Sequence, residues 1–347
     1  MNRRRVFLVA GGTGGHLFPA LSVMKDLDDY YIDFITDKRT EKYLLEREIK
    51  YTRITTSKLS FNILFLFNLT KIFFGVIQSI LILIKKRPDL VVGFGGYTCI
   101  PTIIASRILM IRVLVHEQNA VMGRTNRLLS KIVDYVAITF PNTAFAPTNS
   151  KYTGIPVRKK MMLKRIKSNK KRIFIVGGSQ GANIFSEIIP KALSFFDNKL
   201  KKKIKVIQQS RPEDIDKLCE NFKNLGLDFE VKDFYQNIYN QYHNADLIIT
   251  RCGASTLAEI QLFKKKSILF PLPSAMNNHQ YFNAKEFKKN NDCLIIDEKN
   301  VDTKILSKDI EKLLFINKKD LNMYNEKTKN HRMSLSNYIK KILDKCS

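Results

Sequence analysis

A short apolar run followed at once by a run of glycines occurs twice in this sequence. RVFLVA at 5–10 precedes GGTGG at 11–15, and RIFIV at 172–176 precedes GGSQG at 177–181. An unbroken apolar run of this length predicts a strand buried on both faces, as in a parallel sheet. Glycines after it let the backbone turn tightly into a helix and approach a ligand closely. Each half of the chain is therefore expected to form a Rossmann-like α/β domain.

The remaining apolar runs continue this alternation of strands and helices. Strands are predicted at 31–36, 89–93, 112–117 and 133–138, and again at 205–208, 246–250, 267–270 and 293–296. Such alternation predicts parallel sheets with helices on both faces, and 347 residues suit two domains. We assign residues 1–156 to an N-terminal domain and 157–330 to a C-terminal domain. A helical pattern in 331–347 predicts a last helix that packs back on the first domain.

The charge of the chain has two interpretations, an anionic partner or lysine runs that are mostly solvated surface. Its formal net charge is +27, which favours a phosphate-bearing substrate or an anionic membrane surface. Nucleic-acid binding would require stacking aromatics within a basic stripe or a recognised module, and the sequence shows neither. We therefore expect no nucleic-acid partner. The five cysteines are scattered without metal-ligand spacing, which favours a reducing cytosolic compartment.

Residues 59–84 form a dense apolar run that is long enough to span a bilayer. Polar or small residues recur in it at helical spacing: Asn68, Lys71, Gly75, Gln78 and Ser79. Lys58 and the basic residues at 85–87 flank the run. A single span would place the two domains on opposite sides of a membrane, so we favour an amphipathic helix lying in the headgroup region. A helix buried against its own sheet and a transmembrane helix are the alternatives.

The first glycine run predicts an anion site, because the helix that follows offers free N–H groups and partial positive charge. A dinucleotide fingerprint would need glycine where Leu17 stands, although Asp37 could serve as its acidic residue. This weakens the interpretation as a nicotinamide-dependent oxidoreductase. No GKS or GKT follows, which excludes a nucleotide-triphosphate loop. His16 closes the loop and can accept a proton from a hydroxyl, or it can simply cap or pack.

The second half carries polar groups after its predicted strands. Ser179 could hydrogen-bond a phosphate, and the carboxylate of Glu259 could accept two hydrogen bonds from a ribose diol or lie on the surface. An amide and imidazole cluster that suits sugar hydroxyls comprises Asn277, Asn278, His279, Gln280 and Asn283. The sequence has no DxD pair flanked by apolar residues, so we expect no divalent metal. Helix N-termini, with Arg158 or Arg251, would then meet the charge of a leaving diphosphate.

Seven motifs in order resemble the MurG family of peptidoglycan glycosyltransferases. They are GGTGGHLFPA at 11–20, VVGFGGY at 91–97, HEQNAVMGRTNRLLS at 116–130, GIPVR at 154–158, GGSQGA at 177–182, RCGASTLAE at 251–259 and HQYFNA at 279–284. The resemblance covers nearly the whole chain. It implies a GT-B fold of two Rossmann-like domains facing across a cleft, with acceptor and membrane binding in 1–156 and UDP-sugar binding in 157–330.

The resemblance also implies the reaction and its participants. N-acetylglucosamine would pass from UDP-N-acetylglucosamine, with inversion, to the 4-hydroxyl of the muramyl sugar of lipid I, giving lipid II. No metal and no other cofactor would be needed, and the enzyme would lie on the cytoplasmic face of the inner membrane as a peripheral protein. Transfer to another lipid acceptor, such as diacylglycerol, and epimerisation of UDP-N-acetylglucosamine are the alternatives.

The family's functional residues carry over by motif. His16 matches the proposed general base. The positions that match donor contacts are Thr13, Gly14, Gly15, Asn119, Arg158, Ser179, Tyr235, Ala254, Ser255, Thr256, Leu257, Ala258, Glu259 and Gln280. Tyr235 replaces an aliphatic residue that contacts uracil through its backbone, so only its backbone is expected to serve. Asn277 and Asn278 replace charged residues, which alters the polarity of that loop.

Overall fold

The computed structural model describes residues 3–12, 14–58, 63, 65–157, 163, 165–177, 182–315 and 333–345. Three predicted site residues, Thr13, Arg158 and Ser179, lie outside this part of the chain. The backbone divides into two compact units, Met1–Lys159 with His331–Ser347, and Lys160–Asn330.

The first unit is a parallel sheet covered by helices on both faces. Its strands are β1 (Arg5–Val9), β2 (Tyr31–Thr36), β3 (Thr52–Arg53), β4 (Leu90–Gly93), β5 (Val113–Glu117), β6 (Tyr135–Ile138) and β7 (Lys151–Tyr152). Its helices are α1 (Gly14–Asp26), α2 (Lys38–Leu45), α3 (Phe65–Lys86), α4 (Cys99–Ile108), α5 (Arg124–Leu129) and, from the end of the chain, α13 (Leu335–Asp344).

The strand order of this sheet is β3-β2-β1-β4-β5-β6-β7. The chain therefore reverses direction across the sheet between β1 and β4, which pair in parallel with Val6 beside Leu90. Ligands of open α/β sheets bind outside the carboxyl ends of the strands at such a switch point. The first glycine run follows β1 there, and Gly95 and Gly96 follow β4.

Alternation along the strands divides the core of the first unit into two layers. Val6 and Leu8 face the layer that contains α1 and α13, whereas Phe7 and Val9 face the layer that contains α3 and α4. Leu335, Ile339 and Leu343 of α13 are almost fully buried in the first of these layers. The last helix thus completes the core of the unit that begins the chain.

The second unit repeats this architecture with six parallel strands in the order β10-β9-β8-β11-β12-β13. The strands are β8 (Lys171–Val176), β9 (Ile204–Gln209), β10 (Asp228–Lys232), β11 (Leu247–Arg251), β12 (Lys266–Phe270) and β13 (Cys293–Ile295). The helices are α6 (Asn183–Ser194), α7 (Asn198–Lys202), α8 (Ile215–Asn224), α9 (Ile238–Asn244), α10 (Ala254–Phe263), α11 (His279–Lys288) and α12 (Thr303–Phe315). Short 3₁₀ turns lie at Pro212–Asp214, Met276–Asn278 and Glu298–Asn300. Its switch point lies between β8 and β11.

The ten predicted strands are present, within two residues at each end. Three further strands are not predicted by the apolar pattern: β3 and β7, which have two residues each, and β10, whose sequence DFEVK carries three charged residues. The first helix, α1, begins inside the first glycine run, at Gly14. Glycine is a poor helix former, yet burial of Leu17, Ala20 and Leu21 outweighs this local cost.

The apolar run from Phe65 onwards forms α3, which packs apolar and small side chains against the protein and also exposes large apolar ones. The buried positions are Ile72, Gly75, Ser79 and Leu83. Of the predicted stripe, Gly75 and Ser79 therefore face the protein, whereas Gln78 is exposed and accepts the backbone N–H of Thr55. A side chain on Gly75 would stand 2.0 Å from the Thr55 carbonyl oxygen, and Ser79 Oγ lies 3.2 Å from Thr102 Oγ1. Thr70, Gln78, Lys85 and Lys86 are exposed on α3. Large apolar side chains are exposed as well: Leu66, Phe67, Leu69, Phe73, Phe74, Ile77, Leu81 and Ile84.

Candidate active site

The first glycine run packs against the start of α4. Gly12 has a φ of +86°, which favours glycine, and a Cβ on Gly11 would stand 2.5 Å from Thr98 Oγ1. The run leads into Gly14, the first residue of α1. Backbone N–H groups at the N-terminus of α1 are thereby placed at the switch point of the first sheet, where they can face an anion.

His16 lies in the first turn of α1 rather than closing a loop. Its Nδ1 is 2.9 Å from Gln118 Oε1, just beyond the carboxyl end of β5. A side chain on Gly96 would stand 3.4 Å from Cδ2 and 3.6 Å from Nε2 of His16. The Nε2 edge of the ring therefore faces the loop after β4, at the place where the topology predicts a ligand.

The acidic residue that a dinucleotide site would need is already used within the protein. Asp37 is 4% exposed, and its carboxylate accepts hydrogen bonds from Thr98 Oγ1 and the Arg39 guanidinium. The guanidinium also stacks over the Tyr97 ring, with its carbon 3.9 Å from the centroid. Asp37 thus holds a cation against the first glycine loop, which gives no support to the oxidoreductase interpretation.

The motif HEQN ends β5, and its acidic residue organises the loop that follows. Glu117 is 1% exposed, and Oε1 accepts the backbone N–H of Asn119 and its side-chain amide at 2.9 and 3.2 Å. Oε2 accepts Gly123 N–H at 3.0 Å and Asn126 Nδ2 at 2.8 Å. These four bonds fix the half-buried side chain of Asn119, a predicted donor contact, at the carboxyl end of the sheet.

His116 supports the same region from inside. It is fully buried, and burial lowers its pKa to about 4, with the Gly154 carbonyl opposing that change and His16 adding to it. His116 is therefore neutral near pH 7. Sequence reasoning did not assign roles to His116, Glu117 or Gln118. Their signal was the concentration of four polar residues at the end of a buried strand.

In the second unit, α10 begins directly after β11 and carries most of the predicted donor contacts. Ala254 and Leu257 face the core, whereas Ser255, Thr256 and Ala258 are half-buried. Gly253 at the N-cap forms no side-chain hydrogen bond to the first turn. Free backbone N–H groups in that turn suit a phosphate or carboxylate.

Glu259 is half-buried and held by two tyrosines of α9. Tyr239 donates its hydroxyl to Glu259 Oε1 at 3.2 Å. Tyr242 is buried and also bonds Glu259, and burial raises the pKa of Tyr242 well above its ordinary value. Glu259 lies one to two turns after the start of α10, and the two tyrosines orient its carboxylate. The interpretation of Glu259 as a free surface acid is therefore wrong.

Gln280 joins the two loops that follow β11 and β12. Its Oε1 accepts N–H from Cys252 and Leu272, each at 3.0 Å. The side-chain NH2 is consequently the group that could meet a ligand. Asn283, which the sequence analysis grouped with Gln280 as a sugar contact, is fully buried and donates Nδ2 to the Cys252 carbonyl at 3.1 Å. It supports the loop instead.

Two predicted contacts have narrower roles than their chemistry suggested. The Tyr235 ring is 6% exposed and packs edge-on to Phe174 at 5.7 Å, and burial raises the pKa of its hydroxyl. The side chain is therefore occupied by packing, and a backbone contact with the donor stays a prediction for Tyr235. Arg251 pairs with Glu298 and lies over Phe185, so its charge is committed within the unit. Among the described residues, no group of three or more His, Cys, Asp or Glu side chains could hold a metal.

Comparison with known proteins places this arrangement among glycosyltransferases. Residues 6–138 match the glycosyltransferase family 28 N-terminal domain, and residues 172–342 match the glycosyltransferase family 28 C-terminal domain. A Rickettsia bellii protein is 35% identical over 98% of this chain and 100% of its own length. It is named UDP-N-acetylglucosamine–N-acetylmuramyl-(pentapeptide) pyrophosphoryl-undecaprenol N-acetylglucosamine transferase.

Solved structures agree. The crystal structure of Acinetobacter baumannii MurG superposes with a TM-score of 0.78 at 28% identity, covering 99% of each chain. The UDP-GlcNAc 2-epimerase of Methanocaldococcus jannaschii superposes with a TM-score of 0.62 at 13% identity, covering 98% of this chain and 99% of its own. At that identity the epimerase shares the fold alone.

Proposed function

The chain belongs to the MurG family of glycosyltransferases, and we propose that it transfers N-acetylglucosamine from UDP-N-acetylglucosamine to lipid I. The product is lipid II, the lipid-linked disaccharide precursor of peptidoglycan. The observation that carries this proposal is the 35% identity to a transferase of that name over 98% of this chain and the whole of the relative.

The site supports a direct displacement with His16 as general base. His16 Nε2 takes the proton from the 4-hydroxyl of the muramyl sugar, whose oxygen forms a bond to the anomeric carbon of N-acetylglucosamine. The bond from that carbon to the diphosphate oxygen breaks, and UDP leaves with the electron pair. Attack opposite the leaving group inverts the anomeric centre. The position of His16 at the β1–β4 switch point supports this role.

Donor binding is proposed for the glycine loops and α10. The first turn of α10 supplies backbone N–H groups for the diphosphate, and Glu259, oriented by two tyrosines, accepts hydrogen bonds from the ribose diol. Gly14, Gly15, Asn119, the Tyr235 backbone and the NH2 of Gln280 complete the described part of the donor set. Thr13, Arg158 and Ser179 belong to the same proposal on their motif positions.

We further propose that the enzyme binds the cytoplasmic face of the inner membrane through α3. This helix is apolar enough to cross a bilayer, with a mean hydropathy of 1.9 over 18 residues, but only 22% of those residues are buried. Its buried Gly75 and Ser79 and its exposed aromatic side chains support insertion of the exposed face into the headgroup region. Ile108 and Met110, 59% and 88% exposed, lie at and just beyond the end of α4, which packs against α3.

A single transfer assay tests the reaction against its alternatives. The purified enzyme is incubated with UDP-N-acetylglucosamine labelled in the sugar, with lipid I or diacylglycerol as acceptor. We expect label in the lipid I fraction together with one equivalent of released UDP. Label transferred only to diacylglycerol, or an epimerised sugar nucleotide without lipid label, would contradict the proposal.

A further inference from the structure

A chain of hydrogen bonds runs from the backbone at Gly154 through two side chains to His16. His116 Nε2 lies 3.0 Å from the Gly154 carbonyl oxygen. Gln118 Nε2 lies 3.1 Å from His116 Nδ1, and Gln118 Oε1 lies 2.9 Å from His16 Nδ1. His116 and Gln118 are 0% and 2% exposed, so water does not compete for the contacts of His116. The contact between Gln118 and His16 is part-buried.

The donors and acceptors in this series of hydrogen bonds are fixed in one direction, because the Gly154 carbonyl oxygen at its start can only accept a hydrogen bond. The Gly154 carbonyl requires a proton on His116 Nε2, which leaves Nδ1 of the neutral ring as an acceptor. That acceptor requires the NH2 of Gln118. The backbone carbonyl of His116, 3.0 Å from the same Gln118 nitrogen, requires it independently. Thr139 Oγ1, 3.4 Å from His116 Nε2, can accept from the same proton.

The consequence reaches His16. With its NH2 committed inwards, Gln118 presents its carbonyl oxygen to His16 Nδ1, and an amide oxygen can only accept. The neutral His16 ring then carries its proton on Nδ1 and its lone pair on Nε2, the atom near Gly96. The nearby ionisable groups Glu117 and Asp37 do not change this assignment of the His16 proton, because each is already bound elsewhere. The Glu117 carboxylate is bound to Asn119, Gly123 and Asn126, and Asp37 is bound to Arg39 and Thr98.

We propose that Gln118 and His116 are positioning residues that hold His16 in the tautomer whose Nε2 can accept the acceptor's proton. The role of the tautomer in catalysis rests on the proposed transferase function, whereas the tautomer itself does not. The buried neutral His116 acts as a fixed acceptor, and Gln118 transmits its polarity. Because the contact to His16 is an amide and not a carboxylate, it sets the ring's orientation without adding a negative charge beside it.

The first test observes the tautomer directly. The chain has five histidines, so long-range ¹H–¹⁵N spectra of enzyme labelled at histidine are tractable, with single substitutions for assignment. We expect His16 as the Nδ1–H form and His116 as the Nε2–H form at pH 7.5. In Gln118→Met, which keeps the volume but removes the acceptor, His16 should lose its preference for Nδ1–H. Wild-type His16 in the Nε2–H form would overturn the proposal.

The second test follows the reaction. We expect Gln118→Met to lower kcat at least about tenfold with the KM for UDP-N-acetylglucosamine within about twofold, because ring orientation matters after the donor is bound. Gln118→Glu keeps an acceptor for His16 Nδ1, so it should restore the Nδ1–H form and part of kcat. Its carboxylate should also move the acid limb of the kcat/KM profile to higher pH. An unchanged kcat and pH profile in both variants would overturn the catalytic role. If wild-type enzyme fails to glycosylate lipid I, the transferase proposal fails while the spectra still decide the tautomer.

Discussion

Individual residues at the β1–β4 switch point differ in how far the sequence revealed them. His16 stood out because a titratable side chain followed a glycine run. Its contact with Gln118 depends on the loop after β5, which lies about a hundred residues later in the chain. From its position after the second strand, Asp37 could serve as a ribose ligand. In the structure its carboxylate instead accepts hydrogen bonds from Arg39 and Thr98. Local sequence cannot show which partners the fold brings to a side chain.

Replacing His16 with asparagine should separate its hydrogen bond to Gln118 from its proposed role as general base. The Asn side-chain amide can still donate to Gln118 Oε1, but no atom remains at the position of Nε2. We expect kcat to fall about 10²- to 10⁴-fold, the usual contribution of a general base, with little change in the donor KM. His243→Asn, on α9 of the second unit, is the matched control and should keep wild-type kinetics. Near wild-type turnover in His16→Asn would show that another group takes the proton.

Gly11 should tolerate no side chain. A Cβ there would stand 2.5 Å from Thr98 Oγ1 and 3.0 Å from Asp37 Oδ2, and both groups are buried and hydrogen-bonded. Gly11→Ala should therefore cost about 1–3 kcal/mol in the free energy of unfolding. Gly123→Ala is the control, because its nearest atom would be 3.8 Å away and it should change stability by less than about 1 kcal/mol. Chemical denaturation of both variants measures the difference, and equal losses would contradict this account.

Secondary-structure elements were predicted best where one periodicity dominates. Apolar strand runs such as RVFLV indicated β1 and β8 because a parallel strand is buried on both faces. β10 was missed because its outer position in the sheet admits charged residues. For α3 the sequence indicated two unequal faces but not which one contacts the protein. That choice depends on Thr55 and Pro101, whose close approach requires the small side of the helix at Gly75.

The exposed face of α3 should control binding to membranes. Phe73 and Phe74 are 63% and 60% exposed, so changing both to serine should leave the thermal unfolding midpoint nearly unchanged. Each phenylalanine lost from the lipid interface removes roughly 1.5–3 kcal/mol, so binding should fall at least about tenfold. Co-sedimentation with vesicles of mixed anionic and neutral phospholipid measures it.

Phe195→Ser provides the control for the α3 variant. This phenylalanine is 54% exposed but lies on the second unit, so vesicle binding should not change. Equal losses in the two variants would indicate that α3 has no special part. A large fall in thermal stability of the Phe73→Ser, Phe74→Ser variant would instead indicate that this face is covered by protein.

At the scale of the whole molecule, the two glycine-containing repeats predicted two Rossmann-like domains, and the parallel sheets with their match to a MurG structure confirm that class. The strand orders did not follow from the sequence. Each order requires β4 or β11 to pair with the first strand of its sheet, a contact between segments that are distant in the chain. Those pairings create the switch points and hence the positions of both candidate binding loops.

The return of the last helix to the first unit predicts a selective loss of stability. Ile339 of α13 is 0% exposed in the core of the first unit, so Ile339→Ala should cost about 2–5 kcal/mol there. Hydrogen exchange should speed up at slowly exchanging amides of β1, β2 and β4 and remain unchanged in β8–β13. Ile305→Ala, at a 59% exposed position of α12, should have no such effect. Faster exchange confined to the second unit would contradict the assignment of α13.

The sequence by itself determined the fold class, the family and the identity of the residue types available for chemistry. Buried parallel strands need continuous apolar runs, and ligand-facing turns need glycine, so both leave a local record. Only the tertiary structure decided which polar groups remain available to a ligand. Internal hydrogen bonds or ion pairs engage the polar groups of Asp37, Arg251 and Asn283. His16, in contrast, is oriented by Gln118 and His116. Hydrogen bonds and burial join residues that are far apart in the chain, and no local pattern encodes such pairs.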